Sequence, residues 1–307
     1  MLDRRMGGLA AVGGGLAGAP ALQRALVDCT LVGPSPTRRI VLPEPRARDK
    51  LARGMPLLHA EDVYLDARFL RDLFDRLLGA MRARPDLARQ ADALSDAVHR
   101  HHFHVEHAVA EALANHSEHV EQLAVEAGLD AELVATLFDL CARPVLRAYA
   151  EQLVRVVRSS DWVHGYCPVC GAWAGLVELL AGGRGRDRLL RCPRCGVAWP
   201  ASRCGCPFCS SDDIESLHVE APRSARVLSQ NESELAWAGW WVQGCRACRG
   251  YLKAREIDVP FQWEALALAE LATTALDAAA RERGYVRPPE PGFRLELLGA
   301  EGDDYDD

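Results

Sequence analysis

The stretch Cys167-Pro-Val-Cys-Gly171 recurs with variations three more times, as Cys192-Pro-Arg-Cys-Gly196, Cys206-Pro-Phe-Cys-Ser210 and Cys245-Arg-Ala-Cys-Arg249. Intervals of 21, 10 and 35 residues separate the four Cys-x-x-Cys pairs. Two residues between the cysteines let a tight turn aim both sulfurs at one ion, and N–H groups of that turn can hydrogen-bond the sulfurs. A glycine after the second cysteine favours the left-handed backbone that closes the turn, and the third and fourth pairs lack it.

The eight paired cysteines predict two metal sites, because a tetrahedral ion takes four thiolates. The simplest grouping is sequential: Cys167, Cys170, Cys192 and Cys195 for the first site, and Cys206, Cys209, Cys245 and Cys248 for the second. An interleaved grouping stays open, since spacing alone does not fix connectivity. Zinc and iron both accept four thiolates, so the spacing does not choose the metal. Free or disulfide-bonded cysteines are the plain alternative, which four pairs in so short a stretch disfavour.

The remaining cysteines fit this interpretation. Nine of the 11 cysteines lie between Cys167 and Cys248, while Cys29 and Cys141 stand alone. One dense block after a cysteine-poor region favours metal ligation in a reducing compartment over disulfide bonding. Cys141 falls on an apolar helical stripe and is predicted to be a core residue. Cys204 is left over; it is a reactive thiol, an alternative ligand or, more simply, an incidental thiol.

Composition excludes several classes of protein. The chain has 307 residues, a formal net charge of −7 and 49% hydrophobic residues, so it is not disordered, collagen-like or a multi-span membrane protein. The apolar run over residues 6–22 follows Arg4-Arg5 but carries six glycines and Pro20. Glycine and proline make a poor spanning helix, so we interpret this run as a flexible extension and expect no membrane insertion.

The fold class predicted from these patterns is α plus small β: a helical domain, two metal modules with zinc-ribbon-like hairpins, and a C-terminal helix. Leu70, Leu73, Phe74, Leu77 and Met81 form one apolar helical stripe. A long helical stretch, either continuous or interrupted, follows Pro85 and ends near Gly128. The predicted bounds are a flexible arm at 1–60, the helical domain at 61–160, the modules at 161–205 and 206–258, a docking helix at 259–290 and an acidic tail at 291–307.

The order of the four motifs resembles the formate dehydrogenase accessory proteins called FdhE. The most particular match is Cys245-x-x-Cys248-Arg-Gly-Tyr-Leu-Lys253, supported by Trp199, Arg203 and Gly54-Met-Pro-Leu-Leu58. The resemblance covers about residues 40–290. Cys204 departs from the family's pattern.

The resemblance implies a helical domain followed by two rubredoxin-like modules, with the eight paired cysteines as metal ligands and iron as the favoured metal. It implies a cytoplasmic protein, not itself an enzyme, that is needed to mature respiratory formate dehydrogenase, a molybdenum or tungsten enzyme. Its partner would be the catalytic subunit, contacted before export. The oligomeric state is left open.

Two other functions compete with this interpretation. A zinc-ribbon nucleic-acid-binding protein needs a basic footprint, yet residues 160–258 carry 12 basic and 11 acidic side chains. An arginine run keeps that alternative open: Arg184, Arg186, Arg188, Arg191 and Arg194. An electron carrier or thiol oxidoreductase acting through Cys204 would need an exposed, reactive thiolate, for which only Arg203 argues.

Further residues stand out without fixing a function. Seven histidines crowd the second helical stretch: His99, His101, His102, His104, His107, His116 and His119. Two i, i+3 pairs among them are compatible with metal binding, but no Glu-x-x-His motif accompanies them, so a solvated face or a pH-sensitive surface is favoured. For Trp237, Trp240 and Trp241 a structural role covering the metal modules is favoured over partner binding. Tyr251 and Lys253 are predicted to contact a partner, or else to be packing and a solvated charge respectively.

Overall fold

The computed structural model describes residues 37–83, 85–158, 160–182, 185–201, 205–218, 239–258, 266 and 273–298. Cys29, Cys204, Trp237, Arg184, the first 36 residues and the acidic end from residue 299 lie outside the described residues. The described chain divides into two compact units. A helical unit contains residues 37–161, 168–171 and 293–298, and a β unit contains residues 162–167 and 172–292.

Among its described residues, the helical unit has six helices and a short strand pair: α1 (Glu44–Ala52), β1 (Glu61–Asp62), α2 (Ala67–Arg82), α3 (Ala88–His99), α4 (Val105–Leu113), α5 (Glu118–Glu126), α6 (Ala131–Arg158) and β8 (Leu297–Leu298). Helix α2 begins where Asp66 Oδ1 accepts a hydrogen bond from the N–H of Phe69. The predicted apolar stripe of α2 is buried throughout. Cys141 is also fully buried, as a core residue should be.

Helix α1 lies where the sequence predicted an irregular arm. Its burial explains the difference, because Lys50 is only 5% exposed and its ammonium group pairs with Glu61. The same ammonium donates to the carbonyl oxygen of Leu57 at 3.1 Å. A short polar segment that looks unstructured in sequence is therefore held by one buried ion pair, which no local pattern reveals.

The long helical stretch predicted up to Gly128 is three helices. Breaks occur at His101 and Asn115, which both have a φ of 60°. Asparagine and histidine tolerate the left-handed region better than most side chains, so they end α3 and α4 without glycine. Gly128, at a φ of 70°, ends the stretch as predicted. Pro144, in contrast, lies inside the continuous helix α6.

One six-stranded sheet organises the β unit: β2 (Leu176–Gly182), β3 (Gly185–Arg191), β4 (Ala198–Pro200), β5 (Ile214–Leu217), β6 (Trp240–Cys245) and β7 (Tyr251–Ile257). The strand order is β4-β3-β2-β7-β6-β5. Strands β2 and β7 pair in parallel, with Leu176 opposite Lys253, and the other neighbours are antiparallel. The two hairpins that carry the cysteine pairs are therefore halves of a single sheet.

Helix α7 (Thr274–Glu282) packs against this sheet. Leu276 and Ala280 of α7 share a buried cluster with Trp240, Val242 and Tyr251 of the two strands nearest to it. The structural role favoured for the tryptophans holds for Trp240, which is 6% exposed. The predicted fold class, helical domain followed by two Cys₄ modules and a helix, is confirmed. Among the described helices, none has the length and apolar character needed to cross a bilayer.

Candidate metal centres

The eight paired cysteines form two groups of four. Site one brings together Cys167, Cys170, Cys192 and Cys195, and site two brings together Cys206, Cys209, Cys245 and Cys248. Within each group all four sulfur atoms lie within 4.8 Å of one another. The grouping is sequential, not interleaved. Four thiolates at this separation can hold one tetrahedral ion, so the two groups can hold two metal ions.

The same backbone turn builds every cysteine pair. In each, the N–H of the first cysteine donates to a carbonyl five residues later, at distances from 2.7 to 2.9 Å: Cys167 to Ala172, Cys192 to Val197, Cys206 to Ser211, and Cys245 to Gly250. Backbone N–H groups also point at the sulfurs, as in the 3.4 Å contact from Phe208 N to Cys206 Sγ. These N–H groups would spread the charge of a thiolate.

The residue after each second cysteine has a positive φ, whether or not it is glycine. The values are 73° at Gly171, 76° at Gly196, 62° at Ser210 and 61° at Arg249. The two turns that lack the glycine therefore close in the same way as the two that have it. A non-glycine residue in this region carries backbone strain of roughly 1 kcal/mol, which persists only where the surroundings enforce it.

Site one is closed to solvent. Its four cysteines are between 0% and 3% exposed. Arg191, itself buried, forms a 3.0 Å ion pair with Glu178. Burial lowers the pKa of the Arg191 guanidinium, and the nearby charges of Glu178, Cys195 and Cys192 oppose that effect. Four thiolates and a divalent ion carry a net charge of −2, so a buried guanidinium beside them compensates part of that charge.

Site two is open on one side. Cys206 and Cys245 are buried, while Cys209 and Cys248 are exposed. Burial raises the pKa of the Cys206 and Cys248 thiols. Burial alone would also raise the pKa of Cys245, but hydrogen bonds from the N–H of Cys248 and from neighbouring thiols outweigh it and lower that pKa. Because Cys209 and Cys248 are exposed, a metal at site two would be reachable from the surface.

An open cleft adjoins site two within the β unit. Its volume is about 470 Å³, and its lining includes Cys206, Tyr166, Trp173 and Phe208. The rings of Trp173 and Phe208 meet edge to face, with centroids 5.3 Å apart. Partial burial raises the pKa of Tyr166. Aromatic side chains therefore form part of the cleft wall beside a half-open cysteine cluster.

Tyr251 and Lys253 form part of the β unit's interior. Lys253 is 1% exposed and its ammonium lies 3.0 Å from Asp277 Oδ2, so the expected solvated charge is wrong. The hydroxyl of Tyr251 donates to Asp277 Oδ1 at 2.9 Å. Arg287 lies 3.4 Å from the same oxygen. A carboxylate supplied by a distant helix thus neutralises the buried lysine, which leaves neither residue free to contact a partner.

The arginine run is mostly internal. Arg188, Arg191 and Arg194 are between 5% and 8% exposed. Arg188 donates to the carbonyl of Gly205 at 2.8 Å. A side chain engaged in this way is not presented to solvent as part of a basic patch.

Comparisons with known proteins support the fold. No protein-family model matches the chain, and no curated protein matches it. Among solved structures, the chain is similar to the crystal structure of the FdhE protein from Pseudomonas aeruginosa. The two are 22% identical, the match covers 89% of this chain and 85% of that one, and the TM-score is 0.50. In fold, the resemblance predicted from the cysteine motifs is confirmed.

Replacing Gly165 by alanine should destabilise the β unit beside site two. An added Cβ would lie 1.9 Å from the carbonyl oxygen of Pro207, in the turn between Cys206 and Cys209. Because backbone must move to relieve this overlap, we expect a loss of about 3 kcal/mol, measured by chemical unfolding. Gly79→Ala is the control: it faces open space on α2 and should be neutral or slightly stabilising. Equal stability of Gly165→Ala and the parent would contradict this packing.

Proposed function

We propose that this chain is an accessory protein that assists the maturation of a respiratory formate dehydrogenase and performs no catalytic turnover of its own. It would bind the catalytic subunit in the cytoplasm and assist its assembly or activation. The observation that carries the proposal is the pair of Cys₄ clusters within a fold similar to the FdhE structure. The order of the cysteine motifs, which resembles the same family, also supports it.

We propose that the eight paired cysteines are the ligands and that both sites hold iron. The ligands of site one would be Cys167, Cys170, Cys192 and Cys195, and those of site two Cys206, Cys209, Cys245 and Cys248. Iron with four thiolates supplies a one-electron centre, whereas zinc does not change oxidation state. The protein's own contribution is to bury one centre completely and to leave an edge of the other exposed.

The difference in burial suggests a division of roles. Site one, with its sulfurs shielded and Arg191 beside them, would hold the sheet together. Site two, with Cys209 and Cys248 exposed and the aromatic cleft next to it, would face the catalytic subunit. Electron exchange with a partner needs close approach to the centre, which only the open site permits.

The burial of the arginine run bears on the alternative of a nucleic-acid-binding zinc-ribbon protein. Three of its five arginines are directed into the β unit, and the region is close to neutral overall. Sequence-independent nucleic-acid binding depends on exposed basic groups that replace counterions. This arrangement favours the accessory role.

Affinity capture from the native host grown with formate tests the proposal. We expect the tagged chain to recover a formate dehydrogenase catalytic subunit, with or without nuclease treatment. Trp173→Ala, in the cleft wall, should reduce recovery at least about tenfold, since aromatic anchors of interfaces carry 2 kcal/mol or more. Trp241→Ala is the matched control because Trp241 does not line the cleft, and it should retain recovery.

The result that would overturn the proposal is recovery of ribosomal or transcription proteins that disappear with nuclease. Metal analysis of the same preparations would test the iron assignment, because zinc at both sites would leave only a structural role for the metals.

A further inference from the structure

The helical unit contains a second kind of potential metal site, in which the ligands are histidine and glutamate side chains and not cysteines. His107 and Glu111 are one turn apart on α4, and His119 lies in the first turn of α5. The connection between the helices turns at Asn115, whose φ is 60°. This turn brings the beginning of α5 back beside the end of α4, so that a carboxylate lies between two imidazoles.

The distances join the three side chains through one carboxylate oxygen of Glu111. His119 Nδ1 is 2.6 Å from Glu111 Oε1, and His107 Nε2 is 3.9 Å from the same oxygen. The two imidazole centroids are 6.4 Å apart. Ligand atoms that share one ion at 2.0 to 2.2 Å lie about 3 to 3.4 Å from each other. The three ligand atoms do not all lie within 4.8 Å of one another. A shared ion therefore requires the two imidazoles to turn towards each other, with His107 moving towards Glu111 and His119 slightly away from it.

The burial of these groups suits such a rearrangement. The side chains of His107 and His119 are 62% and 59% exposed, so both rings can rotate freely. Glu111 is only 18% exposed, and its helix holds it in place. Its second oxygen, Oε2, is buried and has no hydrogen-bond partner among the residues that the structure describes. A partly buried carboxylate with an unsatisfied oxygen would gain from a bound cation.

We propose that His107, Glu111 and His119 bind a divalent transition-metal ion, independently of the two Cys₄ sites. Two imidazoles and one carboxylate on one face leave further coordination positions for water and suit zinc, cobalt, nickel or iron(II). Binding requires an unprotonated ring nitrogen, so the metal replaces the proton between His119 and Glu111. That proton is held on Nε2 of the other tautomer or released to solvent.

Sequence spacing alone does not single out these three residues. The i, i+3 pairs His104/His107 and His116/His119 suggest two separate pairs, whereas the structure joins one member of each through Glu111. The carboxylate lies four residues after His107, on the inward side of both histidines. The site depends on the loop between two helices and not on a motif within one.

Cobalt titration of the zinc-loaded protein tests the site. The chain carries no histidine tag, both cysteine sites are filled with zinc beforehand, and a weak chelator then removes zinc from any site without thiolate ligands. We expect one additional Co²⁺ per chain, giving weak d–d absorption without the intense sulfur-to-cobalt charge-transfer band. Replacing both imidazoles, His107→Ala with His119→Ala, should weaken this binding at least about tenfold. Glu111→Gln, which keeps the side chain's shape, should weaken it as well.

The matched control removes two other exposed histidines of the same region, His99→Ala with His102→Ala, and should bind cobalt as the parent does. Equal binding by the parent and the His107/His119 variant would overturn the proposal. So would a parent that takes up no third ion, or cobalt that enters only with a thiolate charge-transfer band. The measurement does not involve formate dehydrogenase, so its failure is distinct from failure of the accessory role.

Discussion

Replacing Cys192 and Cys195 by serine is expected to reduce the bound metal from two ions to one or fewer and to unfold the sheet of the β unit. A structural Cys₄ ion contributes on the order of 10 kcal/mol of folding free energy, comparable with the whole stability of a domain. Because the parallel pairing of β2 with β7 makes both hairpins one sheet, loss of site one should also weaken metal binding at site two.

Metal content per chain by mass spectrometry and thermal melting by circular dichroism measure this outcome. Cys141→Ala provides the control: it removes a fully buried cysteine that belongs to neither cluster. That variant should keep two ions and lose only the modest stability of a small core truncation. Two ions retained in the double serine variant would contradict the ligand assignment.

Replacing Asp277 by asparagine should destabilise the β unit by about 3 kcal/mol, because it removes the carboxylate that lies 3.0 Å from the buried ammonium of Lys253. Asparagine keeps the shape of the side chain and an acceptor for the Tyr251 hydroxyl, so the effect reports the charge. Chemical unfolding measures it. The double variant Lys253→Met with Asp277→Asn should recover most of the loss, since the buried ammonium is then removed together with the carboxylate.

The same ion pair predicts a pH dependence. Burial on its own would raise the pKa of Asp277, but attraction to Lys253 and Arg287 outweighs it and lowers that pKa. A carboxyl with a lowered folded-state pKa adds stability that is complete above its unfolded value, about pH 4, and is lost as the pH falls through the folded value. The Asp277→Asn variant should therefore lose less stability than the parent on acidification.

An exposed pair in the same unit gives the comparison for Asp277. Asp213 and Arg246 lie 3.5 Å apart with both side chains more than half exposed. Asp213→Asn should change stability by less than about 1 kcal/mol, since water screens such pairs. A similar loss for both variants would mean that burial of Lys253 does not control the energy.

The cysteine sites could be predicted because their information is local. A Cys-x-x-Cys turn is complete within six residues, and the same N–H to carbonyl bond closes all four copies. Even Ser210 and Arg249, which replace the glycine of the other two turns, keep the left-handed backbone. The number of sites then followed from counting four thiolates to an ion, whereas the spacing left open which cysteines share a site.

Features that depend on distant residues could not be predicted. Lys253 looks like a surface lysine until Asp277 of α7 is placed beside it. Glu111 cannot be recognised as a neighbour of His119 from the sequence, because the two meet only where the chain turns at Asn115. The parallel pairing of the two hairpins joins strands that are far apart in sequence, and no periodicity within either strand encodes it.

The pairing of β2 with β7 also affects folding during synthesis, because the two strands are made at different times. The hairpin of β2 and β3 is synthesised before Tyr251–Ile257, so the edge of β2 that pairs with β7 has no neighbour until that strand is made. Unpaired strand edges are templates for aggregation. Early metal capture by Cys167, Cys170, Cys192 and Cys195 would hold the nascent hairpin in its folded shape while it waits. Metal supply during translation would then determine how much of the chain reaches the native state.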